Sequence, residues 1–418
     1  MNRVKGIVFI SVIFSSFLAR ASLDTLRISV QDADGLFLKN NYNLLASSMN
    51  IDAQRAQIIQ AGLYPNPVFT GDFNAIDPEN SKVAHLGKSG QKFFQLEQLI
   101  LLGGKRKAQI ELASTNVKIA ELEFQDMIRQ LKFQLHTSLY FLNQQTFLIN
   151  KYNKQLELLE TILSAYDTQV KKGNIPLKDM VRLKGVYLNL NNNKAEALKE
   201  YFGEMAKVKT ILQTDSFVIP EIPDTNIEQF SKEVGVAQLN ELAFQNRPDY
   251  LITQQNVTLA EQYFQFQKTM AKPDINVFTS YDQRSGAFRN QVNVGVSIPI
   301  PVWNKNQGNI KSAMIMKKQQ EYTTEAFKAQ LLAEIHNYHA QFIQSLEEYQ
   351  KYKKLYNEDF DLTLAGITDN FKKGNVSMIE FVDFFEAYND ALAEIAKIKI
   401  NLATSAEQLN LSTGKQVF

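Results

Sequence analysis

Apolar residues recur at helical spacing over one very long stretch of the chain. Between Gly104 and Lys172 there is no proline and no internal glycine. Apolar positions in this stretch alternate steps of three and four residues, the spacing of a heptad seam. They are Ile110, Ala113, Val117, Ala120, Phe124, Met127 and Leu131. A helix of about 67 residues would be roughly 100 Å long, and no compact globular domain of this size needs one.

The other segments follow two periodicities. Helical spacing predicts helices over residues 32–62, 177–212, 236–271 with an interruption at Arg247 and Pro248, 308–371, and 378–411. Alternating apolar and polar residues predict strands over 67–75, 91–99, 274–283 and 291–300, with a short turn at Ser285 and Gly286. The fourth strand is the clearest, because five β-branched residues occupy every second position.

The landmarks between these elements occur twice. The string KKGN stands at residues 171–174 and again at 372–375, each time between two helical patterns. Residues 64–69 and 272–278, and residues 104–110 and 307–313, are looser pairs at nearly the same offset. We therefore predict that the chain consists of two copies of one unit, residues 22–213 and 236–418, joined by a connector at 214–235. Each copy contains a helix, two strands, a long helix, a tip turn and a helix.

Composition and charge limit the cellular compartments and the binding partners that are consistent with the sequence. A net charge of +1 gives no electrostatic case for nucleic acid, and the absence of cysteine excludes disulfides and thiolate metal sites. Arg3 and Lys5 precede an apolar run that ends in Ala19-Arg20-Ala21, which predicts a signal peptide over residues 1–21. No later stretch is long and apolar enough for a transmembrane helix.

The predicted strands have the length of outer-membrane strands, about 9–11 residues. Four strands cannot close a barrel, whereas three chains would supply 12. An ordinary half-buried antiparallel sheet is the alternative interpretation of the same alternation. The signal peptide and the very long helices favour the barrel.

Two strings add a family resemblance to this pattern. Residues 102–106 (LGGKR) and 297–308 (SIPIPVWNKNQG), together with the element order, resemble the TolC family of outer-membrane efflux proteins, and most of all its CzcC-like heavy-metal branch. The resemblance implies a mainly α fold with a small β part: long antiparallel helices forming an α-barrel tunnel, and a trimeric 12-stranded membrane β-barrel with four strands per chain.

The function implied by the resemblance is that of an exit duct. Its partners would be two further copies of the chain, outer-membrane lipid, a periplasmic adaptor (membrane fusion protein) and an inner-membrane pump, for example of the RND type. No cofactor is implied. The sequence leaves open whether the cargo is metal ions, drugs or a polypeptide.

Acidic residues beside the tip turns correspond to the family's pore aperture. The resemblance places Glu380, Asp383 and Asp179 in acidic rings that narrow the periplasmic end. Glu380 stands where the family usually has Asp, which keeps the charge but leaves the width of the aperture open. The alternative is that carboxylates near a helix N-terminus only interact favourably with the helix dipole.

Two further residue sets carry predictions. Adaptor contact is implied for the tip residues Lys171, Lys172, Gly173, Asn174, Lys372, Lys373, Gly374 and Asn375. The lysines also suit helix C-termini and the glycines suit turns, whatever the function. Trp303, Tyr64 and Tyr281 are predicted at the membrane interface, with core packing as the alternative.

Catalysis finds little support in the sequence. His336 and His339 are three residues apart on a predicted helix, but no third metal ligand accompanies them, and nucleophile and phosphate-loop motifs are absent. We therefore predict neither an enzyme nor a metal site. The second functional hypothesis is a soluble periplasmic coiled-coil adaptor or scaffold, since heptads and hairpin tips suit it too. Strands at equivalent positions in both repeats favour the duct.

Overall fold

The computed structural model describes residues 24–284, 288–355 and 360–418. The predicted signal peptide and the predicted turn at Ser285 and Gly286 lie outside the described residues. Within them the protein is mostly helical with a few strands, so the predicted fold class is confirmed.

Two helices exceed forty residues, and the rest are shorter. The helices are α1 (Val30–Asn40), α2 (Tyr42–Gly62), α3 (Lys105–Lys171), α4 (Leu177–Leu212), α5 (Asp224–Glu228), α6 (Val236–Asn246), α7 (Pro248–Met270), α8 (Gln307–Leu355), α9 (Phe360–Lys372) and α10 (Met378–Thr413). Among the described residues, no helix is both long enough and apolar enough to cross a membrane.

The strands form three small sheets. They are β1 (Thr25–Ile28), β2 (Val68–Phe73), β3 (Ile76–Asp77), β4 (Lys82–Val83), β5 (Lys92–Ile100), β6 (Phe217–Pro220), β7 (Ile275–Arg284) and β8 (Phe288–Ser297). The largest sheet is antiparallel, in the order β2-β5-β7-β8. The others pair β1 with β6 in parallel and β3 with β4.

The 67-residue helix α3 is the axis of the molecule, and it packs against α2, α4, α7 and α10. The predicted heptad positions are buried or half-buried along it. One apolar cluster joins α3 to α1, α4, α6, α8 and α10, and a second joins α3, α4, α9 and α10 toward the tip turns. Because β5 ends just before α3 begins and the first tip turn follows its end, sheet and tip lie at opposite ends of a rod roughly 100 Å long.

The structure corrects several predicted boundaries. The fourth strand was predicted over 291–300 but ends at Ser297, because Pro299 and Pro301 have no backbone N–H to donate to a ladder. The segment between the first two predicted strands contains the short pair β3 and β4. The predicted connector 214–235 contains β6 and α5, and the pairing of β1 with β6 was missed.

Other predictions keep their status. The second long helix, predicted over 308–371, is described as α8 and α9, and residues 356–359 between them lie outside the described residues. The helices predicted over 32–62 and 236–271 are each divided, at Asn41 and at Arg247 respectively. The division of the chain into two repeats stays a prediction.

Candidate functional site at the sheet and the helix tips

The four-stranded sheet has two distinct faces. Because directly opposed residues share a face, the register places one mostly apolar set together: Phe69, Gly71, Phe73, Lys92, Phe94, Leu96, Gln98, Val277, Thr279, Tyr281, Gln283, Val292, Val294 and Val296. The opposite face is mostly polar and includes Thr70, Asp72, Gln95, Glu97, Asn276, Ser280, Asp282, Gln291, Asn293 and Ser297. The predicted alternation along the strands is therefore observed, with one face suited to an apolar medium and the other to water.

The apolar face is left uncovered by the chain itself. Val294 is 79% exposed, Val292 71% and Phe69 68%. A soluble monomer rarely exposes an apolar patch of this extent. An ordinary half-buried sheet, the alternative interpretation, would cover this face with its own helices, and none of the helices in the described part of the chain covers it.

Both outer strands of this sheet have an open edge. In the described part of the chain, β2 is hydrogen-bonded only to β5, and β8 only to β7. Open edges present unpaired backbone N–H and C=O groups that favour pairing with another strand. A single chain is therefore an incomplete sheet.

A buried ion pair joins the sheet to the helical rod. Lys105 Nζ, at the start of α3, lies 2.7 Å from Asp274 Oδ1, and the same carboxylate accepts a hydrogen bond from Leu102 N–H. The Lys105 side chain is only 6% exposed. Gly103 has φ +73, and a Cβ there would meet the side chain of Lys272 at 2.7 Å. The chain thus turns from strand to helix in one fixed way.

The predicted interface aromatics lie at both ends of the sheet. Trp303 is 88% exposed and Tyr64 70% exposed, and both flank the helix end of the strands. The Arg106 guanidinium lies 4.1 Å from the Tyr64 ring centroid. Tyr281 lies toward the far end, half-buried, and its hydroxyl donates to Asn290 Oδ1. Trp303 and Tyr64 are therefore not packed in the core of the chain. An interface role for Trp303, Tyr64 and Tyr281 stays a prediction.

The two tip turns have the same backbone conformation. Gly173 and Gly374 each have φ +79, in the left-handed region. Asn174 N–H donates to Gln169 O and Asn375 N–H donates to Asn370 O, closing both helix ends in the same way. The glycines therefore serve the turns, as predicted on structural grounds alone.

The tip lysines are exposed, and two of them pair with an acid four residues earlier in the chain. Lys171 pairs with Asp167 and Lys373 with Asp369, each at 2.5 Å and one helical turn apart. Lys172 and Lys372 are exposed as well. These observations fit surface lysines at helix C-termini, and nothing in them tests adaptor contact.

The three predicted aperture acids lie in the first turns after the tips. Glu380 closes a capping box: Ser377 N–H donates to Glu380 Oε2, and Glu380 N–H donates to Ser377 Oγ. The backbone hydrogen bond from Ser377 lowers the pKa of Glu380, so its carboxylate is charged at neutral pH. Asp383 is exposed one turn further along α10, and Asp179 is half-buried at the start of α4. Glu380 thus caps the N-terminus of α10, while the ring role stays a prediction for all three.

Sequence reasoning missed a buried charged cluster midway along the rod. His136 Nδ1 lies 2.9 Å from Glu407 Oε1, and His136 Nε2 lies 2.8 Å from Asp34 Oδ1. Burial lowers the pKa of His136, but the two carboxylates outweigh burial and raise this pKa to about 9. Its three members come from α1, α3 and α10, so no local pattern signals them.

A second missed cluster fixes the end of α10 against α7 and α8. Arg247, only 5% exposed, pairs with Asp249 at 2.8 Å and with Glu334 at 3.0 Å. It also donates to the Ser412 carbonyl. The sequence predicts only a helix interruption at Arg247 and Pro248. Because a charged residue beside proline resembles an ordinary exposed helix start, nothing in the sequence indicates that Arg247 is buried and paired.

The segment between β4 and β5 is also held by a histidine. His85 Nδ1 lies 2.7 Å from Asp77 Oδ2, and His85 Nε2 lies 3.1 Å from Ser89 Oγ. By contrast, His336 is exposed and His339 Nε2 lies 2.9 Å from the Val234 carbonyl. Across residues 24–284, 288–355 and 360–418, no three His, Cys, Asp or Glu side chains are grouped to hold a metal ion.

Comparison with known proteins shows which class of proteins this architecture resembles. Residues 239–415 match the family described as outer membrane efflux protein. The cobalt-zinc-cadmium resistance protein CzcC of Cupriavidus metallidurans is 21% identical over 306 residues, which cover 71% of this chain and 68% of CzcC.

Solved channel structures share the fold over nearly the whole chain. The structure of CusC has a TM-score of 0.75 at 14% identity, covering 92% of both chains. The Campylobacter jejuni CmeC outer membrane channel has a TM-score of 0.71 at 13% identity, covering 93% of this chain and 87% of CmeC. The predicted resemblance to TolC-type efflux proteins and the predicted outer-membrane location are confirmed. The matched family and the shared fold are those of channel proteins.

Proposed function

We propose that this efflux channel is the passive exit duct of a tripartite system, built from three copies of the chain. The observation that carries the proposal is the four-stranded sheet, with one uncovered apolar face, one polar face and two open edges. Lipid requires every backbone polar group to be paired and the facing side chains to be apolar. Pairing β2 of one chain with β8 of the next satisfies both requirements.

The need to close the β-barrel determines how many copies of the chain assemble. Three chains give 12 antiparallel strands and leave no edge, which suits a barrel with a polar lumen. The polar residues on the opposite face, including Asp72, Glu97 and Asp282, would then line water. The long helices would continue the lumen toward the periplasmic tips.

The tips are the proposed meeting point with the rest of the system. A periplasmic adaptor would contact the two turns at Gly173 and Gly374, and an inner-membrane pump would supply the energy. Asp383, Glu380 and Asp179 would recur three times around the axis, where carboxylate rings favour cations. Screening limits their reach to about 8 Å at physiological salt, so they would act only in a narrow aperture.

For the cargo we propose divalent metal cations. The support is the name of CzcC, a cobalt-zinc-cadmium resistance protein, with which most of the chain aligns. Acidic side chains at the tips suit the passage of cations rather than of anions.

The trimer can be tested with cysteines, because the chain has none of its own. A cysteine at Thr70 on β2 would be combined with one at each β8 position from Gln291 to Val296. Oxidation in membranes should give disulfide-linked trimers on denaturing gels for at least one pair. The matched control is Leu96→Cys with Thr279→Cys, which face each other on inner strands and should link only within a chain. Monomers from every β2–β8 pair, or recovery in the soluble periplasmic fraction, would refute the proposal.

The aperture can be tested without disturbing the helix cap. Glu380→Gln keeps a side chain able to complete the capping box but removes its charge. Together with Asp383→Asn it should reduce the cation preference of single channels in planar bilayers. Glu394→Gln, an exposed acid further along α10, is the control. Unchanged selectivity in the double variant would remove the acidic-ring role and leave Glu380 as a cap alone.

A further inference from the structure

A groove between α4 and α10, in the half of the rod nearer the tips, is lined by oxygen-bearing side chains. Its volume is about 140 Å³, enough for several water molecules at roughly 30 Å³ each. Val186, Leu190 and Phe385 form its apolar floor. The remaining lining residues are Asn189, Asn193, Glu386, Asn389 and Asp390. None of the lining residues is a lysine, arginine or histidine.

Asn389 carries a buried oxygen atom that lacks a hydrogen-bond partner. The residue is 6% exposed, and its Nδ2 donates to the Phe385 carbonyl at 2.7 Å. That bond fixes the orientation of the amide and leaves Oδ1 as the free acceptor, which has no partner among the described residues. A buried acceptor left unpaired costs about 1–3 kcal/mol, so this oxygen needs a donor or a cation.

The groove also carries two solvent-exposed carboxylates. Glu386 and Asp390 are one turn apart on α10, a spacing at which like charges repel. Within the described ranges, neither carboxylate forms an ion pair within 4.0 Å. Asn189 and Asn193 have the same spacing on α4 and face the groove from the other side.

We propose that this groove binds a hard divalent cation of the Ca²⁺ class, bridging α4 and α10. Carboxylate and amide oxygens are the ligands that Ca²⁺ prefers, and the groove offers neither nitrogen nor sulfur ligands. The ion would satisfy Asn389 Oδ1 and neutralise the two carboxylates. The site shares no residue with the proposed aperture and does not depend on the proposed function.

Calcium titration of the full chain in detergent tests the site. With two carboxylates the dissociation constant should be about 10⁻⁴ to 10⁻³ M. Equilibrium dialysis of the Glu386→Gln, Asp390→Asn double variant should show one calcium ion fewer per chain. The control, Glu196→Gln with Glu394→Gln, removes two exposed acids from the same two helices outside the groove and should bind as the unsubstituted chain does. Equal binding by the double variant and the unsubstituted chain would overturn the proposal.

A variant that gains affinity for Ca²⁺ distinguishes metal ligation by Asn389 from a purely structural role of this residue. Asn389→Asp adds a third carboxylate, so its affinity for Ca²⁺ should rise about tenfold because affinity follows ligand charge. Its thermal midpoint should fall without the ion and recover with it. No added response to Ca²⁺ in this variant, or binding of Zn²⁺ without Ca²⁺, would contradict the assignment.

Discussion

At the scale of single residues, the tip glycines differ from other glycines in backbone conformation. Gly374→Ala places a side chain at φ +79, which should destabilise the tip by about 1–2 kcal/mol. Gly366→Ala, in the exposed middle of α9 with open space around it, should instead stabilise the helix by roughly 0.5–1 kcal/mol. Thermal unfolding of both variants measures the difference. A Gly374→Ala variant as stable as Gly366→Ala would contradict the role of the left-handed turn.

His136 makes stability depend on pH. Because Asp34 and Glu407 raise its folded pKa from 6.5 to about 9, its contribution is fully present below pH 6.5 and is lost as pH rises through about 9. The loss should reach about 3 kcal/mol in the free energy of unfolding. Urea titrations at pH 6 and pH 9.5 measure it, with exposed His336→Gln as the control. A His136→Gln variant with the same pH dependence as the unsubstituted chain would exclude this source.

At the scale of elements, the joint between sheet and rod rests on one buried pair. Asp274→Asn leaves the charge of Lys105 buried without a counter-charge, which should cost roughly 3 kcal/mol. Adding Lys105→Met should recover much of that loss, because the unpaired charge is gone. Glu111→Gln breaks an exposed pair on the same helix and should cost less than about 0.5 kcal/mol. Equal losses in Asp274→Asn and Glu111→Gln would refute the argument.

Elements with a local signal were predictable from the sequence. The heptad steps predicted α3 nearly to the residue, and alternation predicted the four main strands, because both periodicities depend on neighbouring residues alone. The pairing of β1 with β6 was missed, since each is only four residues long and the partners are far apart in sequence. His136 and Asn389 were missed because their surroundings come from separate helices that only the tertiary structure brings together.

At the scale of the whole molecule, the α9–α10 hairpin is held to α3 by a charged contact. Lys151 Nζ, on α3, lies 2.5 Å from Asp361 Oδ2, and Tyr388 of α10 donates to the same carboxylate. Asp361→Ala should release the hairpin and speed amide hydrogen exchange in α9 several-fold, while exchange in α3 stays unchanged. Asp369→Ala, which breaks an exposed pair at the end of α9, should have a smaller effect. Slower or unchanged exchange in Asp361→Ala would show that apolar packing alone holds the hairpin.

The open edges β2 and β8 also bear on how the protein reaches its membrane. An unpaired strand edge cannot enter hydrocarbon, because its backbone groups would find no partner there. A lone exported chain would therefore wait in the periplasm with its apolar strands exposed to aggregation. Insertion would follow association, and its rate would rise steeply with the concentration of chains that are available to associate.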